Sequence, residues 1–369
     1  MIIAVYTNIK EDGLPGGMKK FFEAVYKYLA IQQPGHRFLF ISDSQHEKSF
    51  TYPANTIHLT AKPRTGNFLL RKYWFDRKIP SILKKYKADV FVSHGNICSM
   101  NTNIPQCIIA HQAEGIKKSE KKFFTRAEMI VTGSEFSKKV IIEKCRITAE
   151  KIQVVYPAAS EIFKPAGMDQ KEKTREKYSD GKEYFYYTGT INNEKNFINL
   201  LKAFSHFKKR QQSNMKLLLP RKLMNGLFIK SLSTYRYRND VQLIDIINEK
   251  ARADVTASAY AVLYFFPGGD FPITALEALQ CGVPLITVAY PSVEELTGNA
   301  VLYADANDPK GLGEKMIQLY TDEDFRSQLV VKGKQIALQF SWRQSAELLW
   351  ESLLRISITK YGHTGKPVR

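Results

Sequence analysis

Leu263–Gly298 reads LYFFPGGDFPITALEALQCGVPLITVAYPSVEELTG, and the order of its parts decides the fold. The apolar run Ala261–Phe266 has the composition of a buried strand. Pro267, Gly268, Gly269 and Asp270 form a loop. Thr274 then opens a short helix over Ala275–Gln280, which Gly282 and Pro284 stop. Val283–Val288 is a second apolar strand. Strand, glycine loop, helix and parallel strand make a βαβ unit, and the helix N-terminus in such a unit offers backbone N–H groups to an anion. Glu277 sets one carboxylate a single turn inside that position. A ligand carrying a phosphate with a hydroxyl-rich group beside it suits the arrangement. Glycine-rich strand–helix turns also occur without ligands, so Gly268-Gly269 alone marks only a turn.

The same rhythm extends outward from this unit. Ile2–Tyr6 reads as a strand, followed by a loop with Gly13, Pro15, Gly16 and Gly17 and a helix from Met18 to about Gln32. Arg37–Ser42, Val90–Ser93, Gln106–Ala110 and Met129–Thr132 are further strands. Ser134 caps a helix to Lys144, and Ile152–Val155 is one more strand. Tyr156–Gly181 is a polar connector with Pro157 and Pro165. The pattern then restarts with strand Tyr184–Tyr187, a turn at Gly189, helix Asn196–Gln211 and strand Lys216–Leu219. Alternation of this kind predicts parallel, doubly wound sheets. A chain of 369 residues exceeds one ordinary core, so two α/β domains with a cleft between them are expected.

The formal net charge is +18, and it is uneven. Met1–Pro165 holds 26 Lys and Arg against 14 Asp and Glu, while the rest holds 28 against 22. Between Lys62 and Lys87 nine basic residues face only Asp76, with Phe68, Tyr73, Trp74 and Phe75 among them. Basic residues with interfacial aromatics suit an anionic membrane surface or a lipid-phosphate acceptor. In the other reading Trp74, Ile79 and Leu83 face a core and the lysines face water. No nucleic-acid-binding motif accompanies the charge, so nucleic acid is not an expected partner. Cys98, Cys107, Cys145 and Cys281 show no metal spacing, which fits reduced thiols in a cytoplasm. The first residues lack the build of a signal peptide, and no apolar run reaches the length of a membrane span.

With the residues laid out, Leu263–Gly298 resembles the donor-binding signature of retaining glycosyltransferase family 4, among the group 1 glycosyl transferases of GT-B fold. Glu277, Ala278, Leu279, Gly282, Val283 and Pro284 match the Glu-Ala-Leu-x-x-Gly-x-Pro half of that signature, and Phe271 matches its loop. Gly269 stands where the family has a first glutamate. Gly189–Asn196 matches the family's first strand–turn of the C-terminal domain, where an arginine and a lysine hold the donor diphosphate. Lys195 fills the lysine position and Thr190 stands at the arginine position. His111, at the end of a strand, matches the family's histidine facing the donor sugar, with Gln112 replacing the usual Asp. His94 is a weaker candidate on the same edge. Gly16-Gly17 matches the glycine turn that approaches the donor from the N-terminal domain. Val131–Ser137 and Lys151–Pro157 match structural parts, a helix cap and a linker. The segment between His111 and that cap is short, which places Lys117, Lys118, Lys121 and Lys122 near the acceptor side.

The resemblance implies an α/β protein of GT-B fold, two Rossmann-like doubly wound domains facing an interdomain cleft. It divides the chain at 1–163, an acceptor-side domain, and 164–341, a nucleotide-sugar donor domain, with a final helix at about 342–356 returning to the first. It further implies transfer of a sugar from a nucleoside-diphosphate sugar to a saccharide or lipid-linked acceptor, with retention of configuration and without a metal cofactor. Glu277 accepts hydrogen bonds from the ribose hydroxyls, and Leu243–Ile246, Ile244 included, meets the base through its backbone. Lys195 and the helix N-terminus at Ile273, Thr274 and Ala275 stabilise the leaving diphosphate, with Pro272 among the donor-binding residues before it. Asp270 is expected to hold the sugar hydroxyls that Gly269 cannot reach, and Arg221 to supply the charge that Thr190 does not carry; Asp245 reads as a turn residue. The alternative is a catalytically impaired scaffold subunit that keeps the fold without turnover. A GT-B epimerase or phosphorylase fits less well. The charge asymmetry places the expected reaction at the inner face of a membrane.

Overall fold

Ile2–Tyr6 forms β1, buried from Ile3 onward because neighbouring strands flank it on both sides. The computed structural model describes residues 1–7, 16–43, 53–64, 68–110, 112–189, 194–224, 226–265 and 272–362. These residues divide into two compact units, one of Met1–Pro157 with Ser341–Arg369, the other of Ala158–Gly268 with Pro272–Phe340.

In the first unit β1 is joined by β2 (Arg37–Ser42), β3 (Thr56–Thr60), β4 (Val90–His94), β5 (Gln106–Ile109), β6 (Met129–Thr132) and β7 (Ile152–Val154). Their order is β3-β2-β1-β4-β5-β6-β7, parallel throughout. The second unit holds β8 (Tyr184–Gly189), β9 (Lys216–Pro220), β10 (Val241–Ile244), β11 (Ala261–Phe265), β12 (Leu285–Thr287) and β13 (Leu302–Tyr303). Its order is β10-β9-β8-β11-β12-β13, again all parallel. Each unit is thus doubly wound, with the order reversing beside its first strand.

Central parallel strands with helices on both faces bury their side chains on both sides, which explains apolar runs in place of alternation. The strand period of two still sorts residues between faces. In the second unit Phe185, Tyr187, Leu217, Leu219 and Leu263 enter one core. Their neighbours Tyr184, Tyr186, Leu218, Val262 and Tyr264 enter the other.

Strand β3 has no counterpart among the sequence-based expectations. It is an edge strand, TIHLT, largely exposed, and so lacks the apolar run that announces the other strands. The basic stretch near Trp74 also resolves. Trp74, Phe75, Ile79 and Leu83 are packed into the first unit's core, and Trp74 Nε1 donates to the Pro63 carbonyl at 2.6 Å. Lys62, Arg64, Arg71, Lys72, Arg77, Lys84, Lys85 and Lys87 are exposed around them. Of its two aromatic-rich readings, the core-facing one describes Trp74 and Phe75; Tyr73 stays exposed.

The last helix, Trp342–Gly362, belongs to the first unit. Ser345 Oγ donates to the Tyr156 carbonyl at 2.7 Å. Trp342 meets Phe21 edge-on at 6.0 Å between centroids, and Trp350 meets His36 at 4.7 Å. No helix among the described residues is long and apolar enough to cross a membrane.

Candidate functional site

The second sheet reverses its order between β8 and β11, the place where open α/β sheets bind ligands. Gly189 stands opposite Phe265 in that pairing, and Thr188 opposite Tyr264. The ends of these two strands, from which the two segments singled out in the sequence continue, therefore lie side by side. Gly189 has φ +122°, and a Cβ there would lie 3.2 Å from the Tyr264 ring and 3.3 Å from the Phe265 carbonyl oxygen. Only glycine suits this backbone and this clearance.

Beyond Gly189 runs the helix Glu194–Gln211. Phe197, Leu200, Leu201, Phe204 and Phe207 bury one stripe of it, the spacing of an amphipathic helix. Asn199 Nδ2 donates to the Ala306 carbonyl at 3.0 Å, and Ser231 Oγ donates to Glu194 at 3.0 Å. Those contacts fix the first turns, on which Lys195 is exposed.

Beyond β11 runs the helix Ile273–Gln280, with Ile273, Ala275, Leu276, Ala278 and Leu279 buried. It ends where Gly282 takes φ +67° and the Val283 N–H bonds back to the Ala278 carbonyl at 3.1 Å, a glycine stop. The first turn carries the positive end of the dipole, with the Ala275 N–H donating to the Pro272 carbonyl at 3.0 Å. The Thr274 side chain hydrogen-bonds the Tyr264 hydroxyl.

One turn in, Glu277 is 1% exposed. Its two oxygens accept from one guanidinium: Arg252 Nη1 reaches Oε2, and Nη2 reaches Oε1 at 2.9 Å. Arg252 comes from the helix Glu249–Ser258, whose N-cap Asn248 accepts from the Ala251 N–H. Its guanidinium lies over the Phe163 ring, 4.5 Å from the centroid, and Glu249 adds a contact at 3.3 Å. Burial alone would lower the Arg252 pKa; the Glu277 charge and hydrogen bonds outweigh it and leave the group raised. Nearby, burial pushes the Tyr186 phenol up to about 12, so it stays neutral. Sequence reasoning missed Arg252. Its helix carries no motif, and the burial of Ala253, Val255 and Thr256 beside it is visible only in the structure.

Arg221 follows β9 on the same edge. Its Nε donates to Asp245 at 3.0 Å and its Nη2 to the Leu243 carbonyl at 3.1 Å. Asp245, read as a turn residue, thus also holds Arg221 toward the end of β10. Ile244 is 5% exposed, so its side chain is core and only its backbone is available to a ligand. His111, Thr190, Gly269, Asp270 and Phe271 lie outside the described residues.

In the first unit the order reverses between β1 and β4. Gly16 and Gly17 begin the helix Gly16–Gln32 that follows β1. His94 ends β4 and is buried, with Nε2 3.2 Å from the Tyr26 hydroxyl and its ring edge-on to Phe22 and Tyr26. Burial raises the Tyr26 pKa, which keeps its phenol proton in place. His94 is therefore a packed core histidine.

Comparison with known proteins bears on family and fold. A family model described as Glycosyl transferases group 1 matches residues 169–336, and one described as Glycosyltransferase Family 4 matches residues 15–160. The O-antigen chain mannosyltransferase B of Escherichia coli is 26% identical over 232 residues, covering 62% of this chain and 60% of that protein. The chain thus matches about three fifths of that relative's length. The crystal structure of a glycosyltransferase from Rickettsia africae superposes with a TM-score of 0.77 at 17% identity, covering 96% of this chain and 98% of that one. The Anabaena protein Alr3699/HepE, solved in complex with UDP and glucose, superposes with a TM-score of 0.72 at 14% identity, covering 95% and 98%.

Proposed function

We propose, from the premise that the chain belongs to the GT-B glycosyltransferases, that it transfers a sugar from a nucleoside-diphosphate sugar to a saccharide or lipid-linked acceptor with retention of configuration. The observation that carries the reading is the pairing of Gly189 with Phe265, which brings the Lys195 helix and the Glu277 helix to one sheet edge. Lys195 supplies a compact positive charge to the diphosphate. The first turn at Ile273 and Thr274 supplies backbone N–H groups and a dipole end. Together they stabilise the negative charge that builds on the leaving diphosphate, which is the main demand of the reaction. Glu277 accepts hydrogen bonds from the ribose. The family resemblance further assigns the sugar's recognition to Pro272, Gly269, Asp270, Phe271, His111, Gly16 and Gly17. Arg221 takes a supporting role toward the diphosphate.

The relatives named O-antigen and serotype-specific mannosyltransferases favour a mannosyl donor and a growing surface polysaccharide as acceptor. The exposed lysines and arginines of Lys62–Lys87 fit an anionic membrane surface, where a lipid-linked acceptor resides. Neither assignment calls on a bound metal.

A second reading is favoured by the substitutions at Thr190 and Gly269 and by the engagement of Glu277 with Arg252: a scaffold subunit without turnover. A thermal-shift panel of UDP, GDP, ADP and their sugars separates the two. A diphosphate at roughly 100 times its dissociation constant stabilises the fold by about 2.7 kcal/mol. Release of nucleoside diphosphate from the matching donor, with an α-linked product by NMR from an α-linked donor, completes the test. No shift with any nucleotide and no release supports the scaffold and rejects the transferase.

A further inference from the structure

Glu277 does not stand in the site as a freely rotating carboxylate. Both oxygens accept from Arg252, and Arg252 is itself held on three sides. Phe163 lies beneath the guanidinium, Glu249 touches its edge and Glu277 closes the fork. Phe163 is fully buried, and the helix that bears Glu277 fixes it: Gln280 Nε2 donates to the Phe163 carbonyl at 2.7 Å and to the Ser160 carbonyl at 2.9 Å. The four parts form a closed circuit, Glu277 to Arg252 to Phe163 to Gln280 and back along three residues of one helix. A carboxylate locked in a bidentate pair keeps lone pairs for neutral hydroxyl donors, while its charge is already balanced. It therefore selects a diol over a cationic group.

The geometry points to Arg252 as a positioning residue that aims the Glu277 carboxylate at the ribose hydroxyls of a nucleoside diphosphate, so that discrimination between ribose and deoxyribose depends on a residue that touches neither. This rests on the donor reading given above. The circuit, with a planar fork and a ring under it, is the kind of support that holds a binding group within the tolerance recognition needs.

The test uses the full chain and isothermal titration with UDP, GDP and ADP. If the wild type binds none of them, the donor reading falls whatever Arg252 does. With the base that binds, each ribonucleotide is compared with its 2′-deoxy analogue in wild type, Arg252→Lys, Glu277→Gln and the double variant. The wild type is expected to favour the ribonucleotide by about tenfold, the loss that follows an unpaired buried acceptor. Arg252→Lys keeps the charge, loses the fork, and is expected to narrow that ratio to about twofold or less. It is expected to add nothing to Glu277→Gln. An unchanged ratio in folded Arg252→Lys, or equal weakening of both nucleotides, overturns the proposal, as does full additivity in the double variant. Phe163→Leu serves if Arg252→Lys does not fold: it leaves the ion pair, removes the ring beneath it, and is expected to narrow the ratio part of the way. A wild-type ratio in Phe163→Leu overturns the proposal equally.

Discussion

Gly189 and Phe265 stand opposite one another where β8 pairs with β11, at the reversal point of the second sheet. That register sets two sequence-distant strand ends side by side. It depends on glycine, since φ at Gly189 is +122° and a Cβ would press on the Tyr264 ring at 3.2 Å. Gly189→Ala is expected to destabilise the second unit by roughly 1–3 kcal/mol, the cost of a strained backbone with a close contact. Urea unfolding measures it, and a midpoint equal to wild type would show that the loop tolerates a side chain.

Lys195 lies on the exposed first turn of the helix Glu194–Gln211, whose fixation comes from other residues. Lys195→Ala is therefore expected to leave stability within about 0.5 kcal/mol of wild type. If the lysine meets the diphosphate, kcat/KM for the donor falls about 100-fold or more. The salt dependence of donor binding also flattens, because a charge contact is gone. Full activity in a folded Lys195→Ala protein would remove the residue from the site.

The four cysteines are all buried and unpaired with one another. Burial pushes Cys98 and Cys281 up to about 12, and raises Cys107 and Cys145 as well. At pH 8 a thiol titrating near 12 is roughly one part in ten thousand thiolate, the reactive form. Ellman's reagent is expected to find no fast-reacting thiol in the native chain and four in guanidinium. A rapid native phase would mean that one of these sites opens to solvent.

The fold was legible because its decisive signals are local. Apolar runs of strand length alternate with helical stripes, and each of the strands at the reversal points, β1, β4, β8 and β11, is such a run. Strand β3 escaped because TIHLT is exposed and carries no run. In the candidate site, Lys195 and Glu277 were singled out through motifs tied to particular turns. Arg252 was not, because its role arises from contacts 25 and 89 positions away, with Glu277 and Phe163. Nothing in Glu249–Ser258 itself announces that one arginine turns inward. The Trp74 segment left two readings open for the opposite reason. Its charges and aromatics are both visible in sequence, but which face each takes is set by packing against β1, β2 and β4.

Glu277 and Arg252 also make a stability prediction independent of any ligand. The Glu277 side chain is 1% exposed and that of Arg252 17%. A pair so buried is costly to break on one side, because the remaining charge keeps its desolvation penalty without its partner. Glu277→Ala is expected to cost about 3–5 kcal/mol, with Glu249 at 3.3 Å offering the guanidinium only a partly exposed substitute. Glu277→Gln keeps one acceptor and is expected to cost less. Removing both charges in Arg252→Met with Glu277→Leu eliminates the unpaired ion, so the double variant is expected to unfold at a higher urea concentration than Glu277→Ala. Had the pair been a surface contact, the single variant would lose less than about 1 kcal/mol and the double variant would recover nothing. Urea titration of the three variants beside wild type decides between these orders.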